Sequence, residues 1–298
     1  FVLYDWFLVA ENPRLRSCDH LSSLFAEDYV FVPETNLAYG YYRPLSSLSF
    51  VADAAIWGLE PRGFHLTNLL LHALASLSVA LLAVRLGLGR GAAFACGLLF
   101  AVHPIHTESV AWISGRTDLL AFVLAAASFH AHLAAGDLAR GGRRARWLRA
   151  ASVLLFALPL LAKELPAVLP LWLLCWAVRR GGPGTSQRDS PGAWRVALPH
   201  FAVLVLYLVI RFGLIDLPAP GQPAGHSAGL ALATAAPTVV RYLARLAWPA
   251  DLSAYLRNPY VHGFLDPRNL GALAFLALLA WGVLALARRR PEAARLGA

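Results

Sequence analysis

The sequence predicts an all-α fold, a multi-pass transmembrane helical bundle. Three observations predict it. Of 298 residues, 58% are apolar and 14% are charged, against roughly 25% charged in a soluble domain. The mean hydropathy is +0.56. The apolar residues gather into runs close to the ~20 residues that a helix needs to cross hydrocarbon, with arginines between the runs. This composition excludes a disordered chain, a collagen-like chain and an ordinary soluble enzyme. The net charge of +9 follows from membrane topology, and no nucleic-acid partner is expected. Cys96 and Cys175 lie inside apolar runs and Cys18 stands alone, so no disulfide framework is implied. The chain has no Met and opens at Phe1-Val2-Leu3-Tyr4-Asp5. It is read as a fragment with sequence upstream.

Seven runs qualify as spans: 65–85, 91–105, 118–136, 148–162, 165–179, 196–215 and 270–287. The second, fourth and fifth are short and contain or adjoin Pro104, Pro159, Pro166 and Pro170. Broken helices are tolerated where the backbone faces protein or a wet cavity. Arginines crowd loops 85–90, 137–149 and 179–195 and the tail after 287, and mark these as cytoplasmic. Residues 1–64 then lie outside. The same rule makes 150–178 a hairpin with Lys163-Glu164 at its outer tip. It makes 229–248, which carries Arg241 and Arg245, an interfacial or re-entrant helix; a true span is the alternative. Residues 45–59 read as an amphipathic helix near the outer surface, and 181–192 and 218–229 as loops. The expected organisation is a first outer loop (1–64), a core bundle (65–215), an outer loop (216–269) and a last span with a basic tail (270–298).

The informative residues are polar ones near the outer face, where burial is expensive. Asp5 opens the chain. Arg43 sits in Tyr41-Tyr42-Arg43-Pro44-Leu45. His65, Asn68, His72 and Ser76 share one helix face. His103, His106 and Glu108 cap the second run, Arg116 and Asp118 open the third helix, and Lys163 and Glu164 mark the hairpin tip. Together they suggest chemistry on a polar or anionic substrate. Each also has a structural reading. The His65 stripe can join helices by hydrogen bonds, Lys163 and Glu164 can form an ion pair, and Arg116 and Asp118 can pair at a helix start. His103, His106 and Glu108 lack the one-turn spacing of a His-Glu-x-x-His metal site. No cofactor is implied with certainty; a divalent metal stays open.

No P-loop, dinucleotide fingerprint or Asp-x-Asp pair is present. That argues against direct use of ATP or a nucleotide sugar. A lipid-borne substrate entering from the bilayer fits what is seen. A secondary transporter and a non-catalytic scaffold are the rivals, though a transporter would show two related halves.

Several segments resemble a known family. They are Tyr41-Tyr42-Arg43-Pro44-Leu45, then Gly63-Phe64-His65-Leu66-Thr67-Asn68-Leu69-Leu70-Leu71-His72, and Leu99 to Ala111 around His103-Pro104-Ile105-His106-Thr107-Glu108. Gly115-Arg116-Thr117-Asp118, Lys163-Glu164, Trp248-Pro249 and Leu252-Ser253 follow the same pattern. The family is the transmembrane and tetratricopeptide-repeat O-mannosyltransferases and their bacterial relatives. The resemblance covers most of 1–268 and is strongest at 41–121. It implies a GT-C membrane fold. It also implies a polyprenyl-phosphate sugar donor, mannose as the sugar and a protein Ser or Thr acceptor; a glycan or lipid acceptor is the alternative. The family's first span and its repeats lie outside the chain. Tyr4-Asp5-Trp6 aligns with the family's acidic pair, so Asp5 takes the catalytic position; Trp6 departs from the pattern. Lys163, Arg43 and Arg116 are the expected donor-phosphate ligands. His65, Asn68, His103, His106, Glu108, Asp118 and Glu164 are the expected positioning residues. The abundance of Arg, Ala, Leu and Gly beside one Lys suggests a GC-rich bacterial genome, and so an inner-membrane protein with a periplasmic site.

Overall fold

The computed structural model describes residues 1, 5–15, 21–30, 40–138, 142–180, 193–215, 217, 228–250, 252 and 261–289. Cys18, Arg140, Arg188, Ser253 and the tail arginines Arg290 and Arg295 lie outside these residues, as do the predicted loop 181–192 and most of 218–229.

The described residues are helical and include no strand. Helix α1 (Pro44–Trp57) starts on a proline, whose missing N–H costs nothing in a first turn. It stops at Gly58, where φ is +63°, a conformation open mainly to glycine. Helix α2 (Pro61–Arg85) follows at once. Helix α3 (Arg90–Val102) ends before Pro104, which cannot continue it. A short helix α4 (Thr107–Ala111) leads into α5 (Arg116–Gly136). Then come α6 (Arg143–Leu160), α7 (Leu169–Arg180), α8 (Ala193–Val209), α9 (Ala228–Ala247) and α10 (Pro267–Arg289).

Four helical stretches among the described residues are long and apolar enough to cross a membrane: Pro61–Arg85, Ile113–Gly136, Trp194–Leu214 and Pro267–Ala285. Leu66, Leu69, Leu70, Leu77 and Leu81 of α2 are exposed, which suits a lipid-facing surface and not a watery one. The expectation of about seven full spans is thus met by four. The predicted runs 91–105, 148–162 and 165–179 do lie on helices. Pro104, Pro159 and Pro166 sit at their ends and keep them short, and α6 begins in a cluster of arginines. Helix α9 matches the predicted segment 229–248 closely but is not one of the four long apolar stretches.

The chain divides into two compact units. The first comprises Phe1–Val79 and Ser109–Pro220. In it α5 packs along α6, and α8 packs against both α6 and α7. A hydrophobic cluster of Leu8, Val9, Leu15, Leu24, Tyr29, Phe50, Val51, Phe64 and Ile113 locks the opening segment onto α1 and the start of α2. The second unit comprises Ala80–Glu108 and Gly221–Ala298. There α9 packs on α10, and Val261 N–H donates to Thr234 Oγ1 at 3.3 Å.

The turn between α1 and α2 depends on close approach. A Cβ added to Gly63 would lie 2.2 Å from Trp57 Cγ and 2.5 Å from Trp57 Cβ. Those atoms sit near the backbone and cannot simply swing away. Gly63→Ala is expected to cost about 1–3 kcal/mol by overpacking. A drop in thermal midpoint of the detergent-solubilised protein would report it; an unchanged midpoint would refute the close-packing account.

Candidate active site

The opening acid is held deep in the first unit. Asp5 precedes a π-helical turn, Trp6–Ala10, closed by the Glu11 N–H on the Trp6 carbonyl at 2.7 Å. Leu8 and Val9 anchor that turn in the core. The Asp5 side chain is fully buried. Its Oδ1 accepts from the Ser114 N–H at 3.0 Å and from the Ser114 hydroxyl at 2.8 Å. Two donors on one oxygen fix the direction in which the carboxylate faces.

Beside it runs a buried ion pair. Arg116 Nη2 lies 2.5 Å from Asp53 Oδ2, and both side chains are buried. Arg116 Nε donates to Asn68 Oδ1 at 2.8 Å, Nη1 to the Ser49 carbonyl at 3.2 Å and Nη2 to the Phe64 carbonyl at 2.9 Å. Its guanidinium lies 4.8 Å from the Phe50 ring centroid and 5.8 Å from that of Phe64. Asn68 in turn donates to the carbonyls of Val110, Trp112 and Ile113 at 3.1–3.4 Å. Asp53 also accepts from Thr67 Oγ1 at 2.8 Å. Arg116 and Asn68 thus join α1, α2 and the start of α5, with each nitrogen of the guanidinium already engaged.

The hairpin tip is built by a proline-terminated helix. Leu161, Ala162 and Lys163 donate their N–H groups to the carbonyls of Leu158 and Pro159 at 3.0 Å, and α6 stops there. A 3₁₀ turn, Leu165–Val168, then leads into α7. Lys163 and Glu164 find their partners on other elements. Lys163 Nζ lies 2.5 Å from Asp118 Oδ1, and Arg43 Nη2 lies 3.2 Å from Glu164 Oε2. Backbone ties hold the tip to α1: Leu45 N–H donates to the Leu161 carbonyl at 3.0 Å and Ser46 Oγ to the Ala162 carbonyl at 3.1 Å. Arg116 and Asp118, whose structural alternative is a pair at a helix start, instead each pair with a distant residue.

Tyr29 lies beside Arg43, and sequence reasoning missed it. Asp28 ties its segment to the start of α1. Asp28 accepts from the N–H groups of Val30, Gly40 and Tyr41, and Tyr29 N–H donates to the Tyr41 carbonyl at 2.7 Å. The Arg43 guanidinium lies 4.6 Å from the Tyr41 ring centroid and 5.6 Å from that of Tyr29. The Tyr29 hydroxyl is buried without a hydrogen-bond partner. It lies within electrostatic reach of Arg43, Asp5, Arg116 and Asp118. Burial pushes its pKa far above the ordinary tyrosine value, so it stays a neutral hydroxyl. Asp53 and Ser114 were also missed; no local pattern marks a buried partner 63 or 109 positions away in the chain.

His65 is half-buried on α2 in the first unit. Further along its stripe, Ser76 Oγ donates to the His72 carbonyl at 2.8 Å. His103, His106 and Glu108 belong to the second unit. His103 Nδ1 accepts from the Ile105 N–H at 3.2 Å, and Nε2 lies 3.0 Å from the Leu246 carbonyl. The His106 ring lies 4.2 Å from the Phe100 ring, and Glu108 is exposed. These contacts make the turn a brace between α3 and α9. Among the described residues no three His, Cys, Asp or Glu side chains gather as metal ligands would.

Comparison with known proteins places this arrangement in context. Over 301 residues, covering 95% of this chain, it is 32% identical to the protein O-mannosyl-transferase Tmtc2 of Drosophila melanogaster, and it covers 31% of that protein. It is 38% identical over 142 residues to human TMTC1, covering 46% of this chain and 16% of the relative. It is 51% identical over 79 residues to human TMTC2, covering 26% and 9%. The chain thus spans about a third or less of the length of these relatives. No family model matches it. No solved structure matches it either. By sequence, the chain is a homologue of the TMTC protein O-mannosyltransferases.

Proposed function

We propose that this region carries the sugar-transfer site of a membrane protein O-mannosyltransferase. The donor in this reading is a polyprenyl-phosphate mannose and the acceptor a Ser or Thr hydroxyl of a protein. One observation carries the proposal: a buried, oriented carboxylate and two paired cations in one compact unit, with the unpartnered Tyr29 hydroxyl within electrostatic reach of Asp5 and Arg43. The relatives' names support mannose and a protein acceptor. In this reading α6 and the two shorter apolar helices complete a GT-C-type bundle of about seven spans. The arginine-rich loops face the cytoplasm and the site faces away from it.

Asp5 accepts the proton of the acceptor hydroxyl. The freed oxygen forms a bond to C1 of mannose with inversion. The C1–O bond to phosphate breaks, and the polyprenyl phosphate leaves with the electron pair. The hydroxyl must come within ~2.6–3.2 Å of the carboxylate, or be joined to it by one water. The leaving phosphate gains charge and needs fixed cations. Lys163 and Arg43 supply them, and exchange their present carboxylate partners for phosphate oxygens. Asp118 and Glu164 hold those cations ready. Arg116 and Asn68, whose donors are already engaged, are given the structural part. His65 stands on the same helix as Asn68 as a positioning candidate. His103, His106 and Glu108 are positioning candidates in the second unit, where the His103 bonds set the shape of the turn.

The test is incubation of the full-length protein with labelled polyprenyl-phosphate mannose and Ser/Thr peptides, followed by mass spectrometry. A peptide gaining one hexose supports the proposal; lipid flux without covalent product refutes it. Lys163→Ala is expected to raise the KM for the donor by roughly tenfold or more, the worth of a charge-assisted contact to phosphate. The acceptor KM should change far less. Unchanged donor kinetics would reject the phosphate role of Lys163.

A further inference from the structure

Arg211 has no carboxylate partner among the described residues. It lies in the π-helical turn Ile210–Leu214 that ends α8, a distortion that often marks a functional position. Its side chain is 4% exposed, so it does not reach out to water as a snorkelling arginine would. Nη2 donates to the Gly40 carbonyl. The guanidinium lies 5.1 Å from the Phe212 ring centroid and 6.0 Å from that of Tyr42. Nη1 has no hydrogen-bond partner. Among the described residues no carboxylate pairs with it. The other cations of this site differ: Arg116 has Asp53, Arg43 has Glu164 and Lys163 has Asp118.

The neighbouring polar atoms share the deficit. Tyr207 stands one helical turn before Arg211, on the same face. Its hydroxyl is buried and unpartnered. Its ring lies 6.3 Å from that of Tyr42, and its hydroxyl is within electrostatic reach of Arg211 and Arg43. Arg43 Nε is also buried without a partner. Three side chains grouped around Tyr42 and Tyr207 thus each keep an unused N–H or O–H group. Leaving an unpaired charge in a protein interior is costly, and each unsatisfied donor adds to that cost. Stacking on aromatic rings offsets only part of that. A ligand that accepts several hydrogen bonds and carries negative charge would satisfy all three groups. Phosphate does both. Val205, Leu206 and Val209, on the same stretch of α8, are exposed apolar side chains that suit an acyl or prenyl tail.

We propose that Arg211 and Tyr207, with Arg43, form the site that grips the phosphate group of a lipid carrier. This rests on the mannosyl-transfer reading and adds to it two donor-binding residues from α8 that no sequence motif marked. Arg211 supplies the charge that the other cations share with carboxylates. Tyr207 donates the hydroxyl that orients the phosphate, and the prenyl chain lies along α8.

Binding of a labelled polyprenyl phosphate to the full-length protein in nanodiscs tests this. Arg211→Gln is expected to weaken binding by roughly tenfold or more, Tyr207→Phe by several-fold, and Arg211→Lys less than Arg211→Gln. Tyr207→Phe removes one oxygen, so the proposal remains testable if the arginine variants fold poorly. Wild-type affinity in both Tyr207→Phe and Arg211→Gln overturns it, as does a wild-type protein that binds no polyprenyl phosphate. Competition by inorganic phosphate as strong as by the lipid overturns the lipid assignment, and so does equal competition by phosphatidylglycerol. Loss of binding in Arg211→Gln from a protein that transfers no mannose sinks the transfer reading and keeps this site. Normal transfer with unchanged binding in both Arg211→Gln and Tyr207→Phe does the reverse.

Discussion

Asp5→Asn is expected to lower mannose transfer by about 10²–10⁴-fold, the usual worth of a general base. The fold should survive. Asn presents the same Oδ1 to the Ser114 N–H and hydroxyl, which both donate to Asp5 now. Its amide cannot take a proton at working pH. The carboxylate is fully buried and Ser114 sets its orientation, so water does not blur the difference between base and amide. In the proposed mechanism the loss falls on kcat and donor binding is kept, because there the carboxylate acts on the acceptor proton and not on the phosphate. The measurement is peptide mannosylation beside a thermal melt. Full activity in Asp5→Asn would remove the base assignment; an early melt with no activity would leave Asp5 as a packing residue.

Arg116→Met is the other large effect, and it is on stability. The substitution leaves Asp53 buried without its cation. It also takes donors from Asn68 Oδ1 and from the Ser49 and Phe64 carbonyls. Breaking a buried pair from one side costs about 3–5 kcal/mol, because the surviving charge stays desolvated. The double variant Arg116→Met/Asp53→Asn should recover part of this, since the orphaned charge is then gone while Thr67 keeps an oxygen to donate to. Melting of the detergent-solubilised protein checks both. A single variant as stable as wild type would show that the pair holds nothing together. If Arg116 were a phosphate ligand instead, the variant would melt normally and lose only donor binding.

The membrane character, the helices and their breaks were legible because they are local. Pro44 and Gly58 bound α1, and the expected 45–59 helix lies within two residues of Pro44–Trp57. Pro159 and Pro166 bracket Lys163-Glu164, and the chain does leave the helix there. Span counting was less secure, since a helix shortened by proline keeps its apolar composition but loses its length. Asp5, Arg43 and Lys163 could be picked out because charge in an apolar chain is conspicuous. Arg116 and Asn68 were conspicuous in the same way, yet their bonds are those of a brace.

Composition and spacing by themselves determined that this chain lives in a membrane, that it is helical, and which polar residues are too costly to be accidental. Only the tertiary structure decided what those residues face. Ser114 meets Asp5 across 109 positions and Glu164 meets Arg43 across 121. Tyr29, Tyr207 and Arg211 gain their interest from two hydroxyls and one guanidinium nitrogen buried without hydrogen-bond partners. Periodicity records which face of a helix avoids water. Partners so far apart in the chain, and the lack of one, are set by how helices pack, and that energy belongs to no single segment.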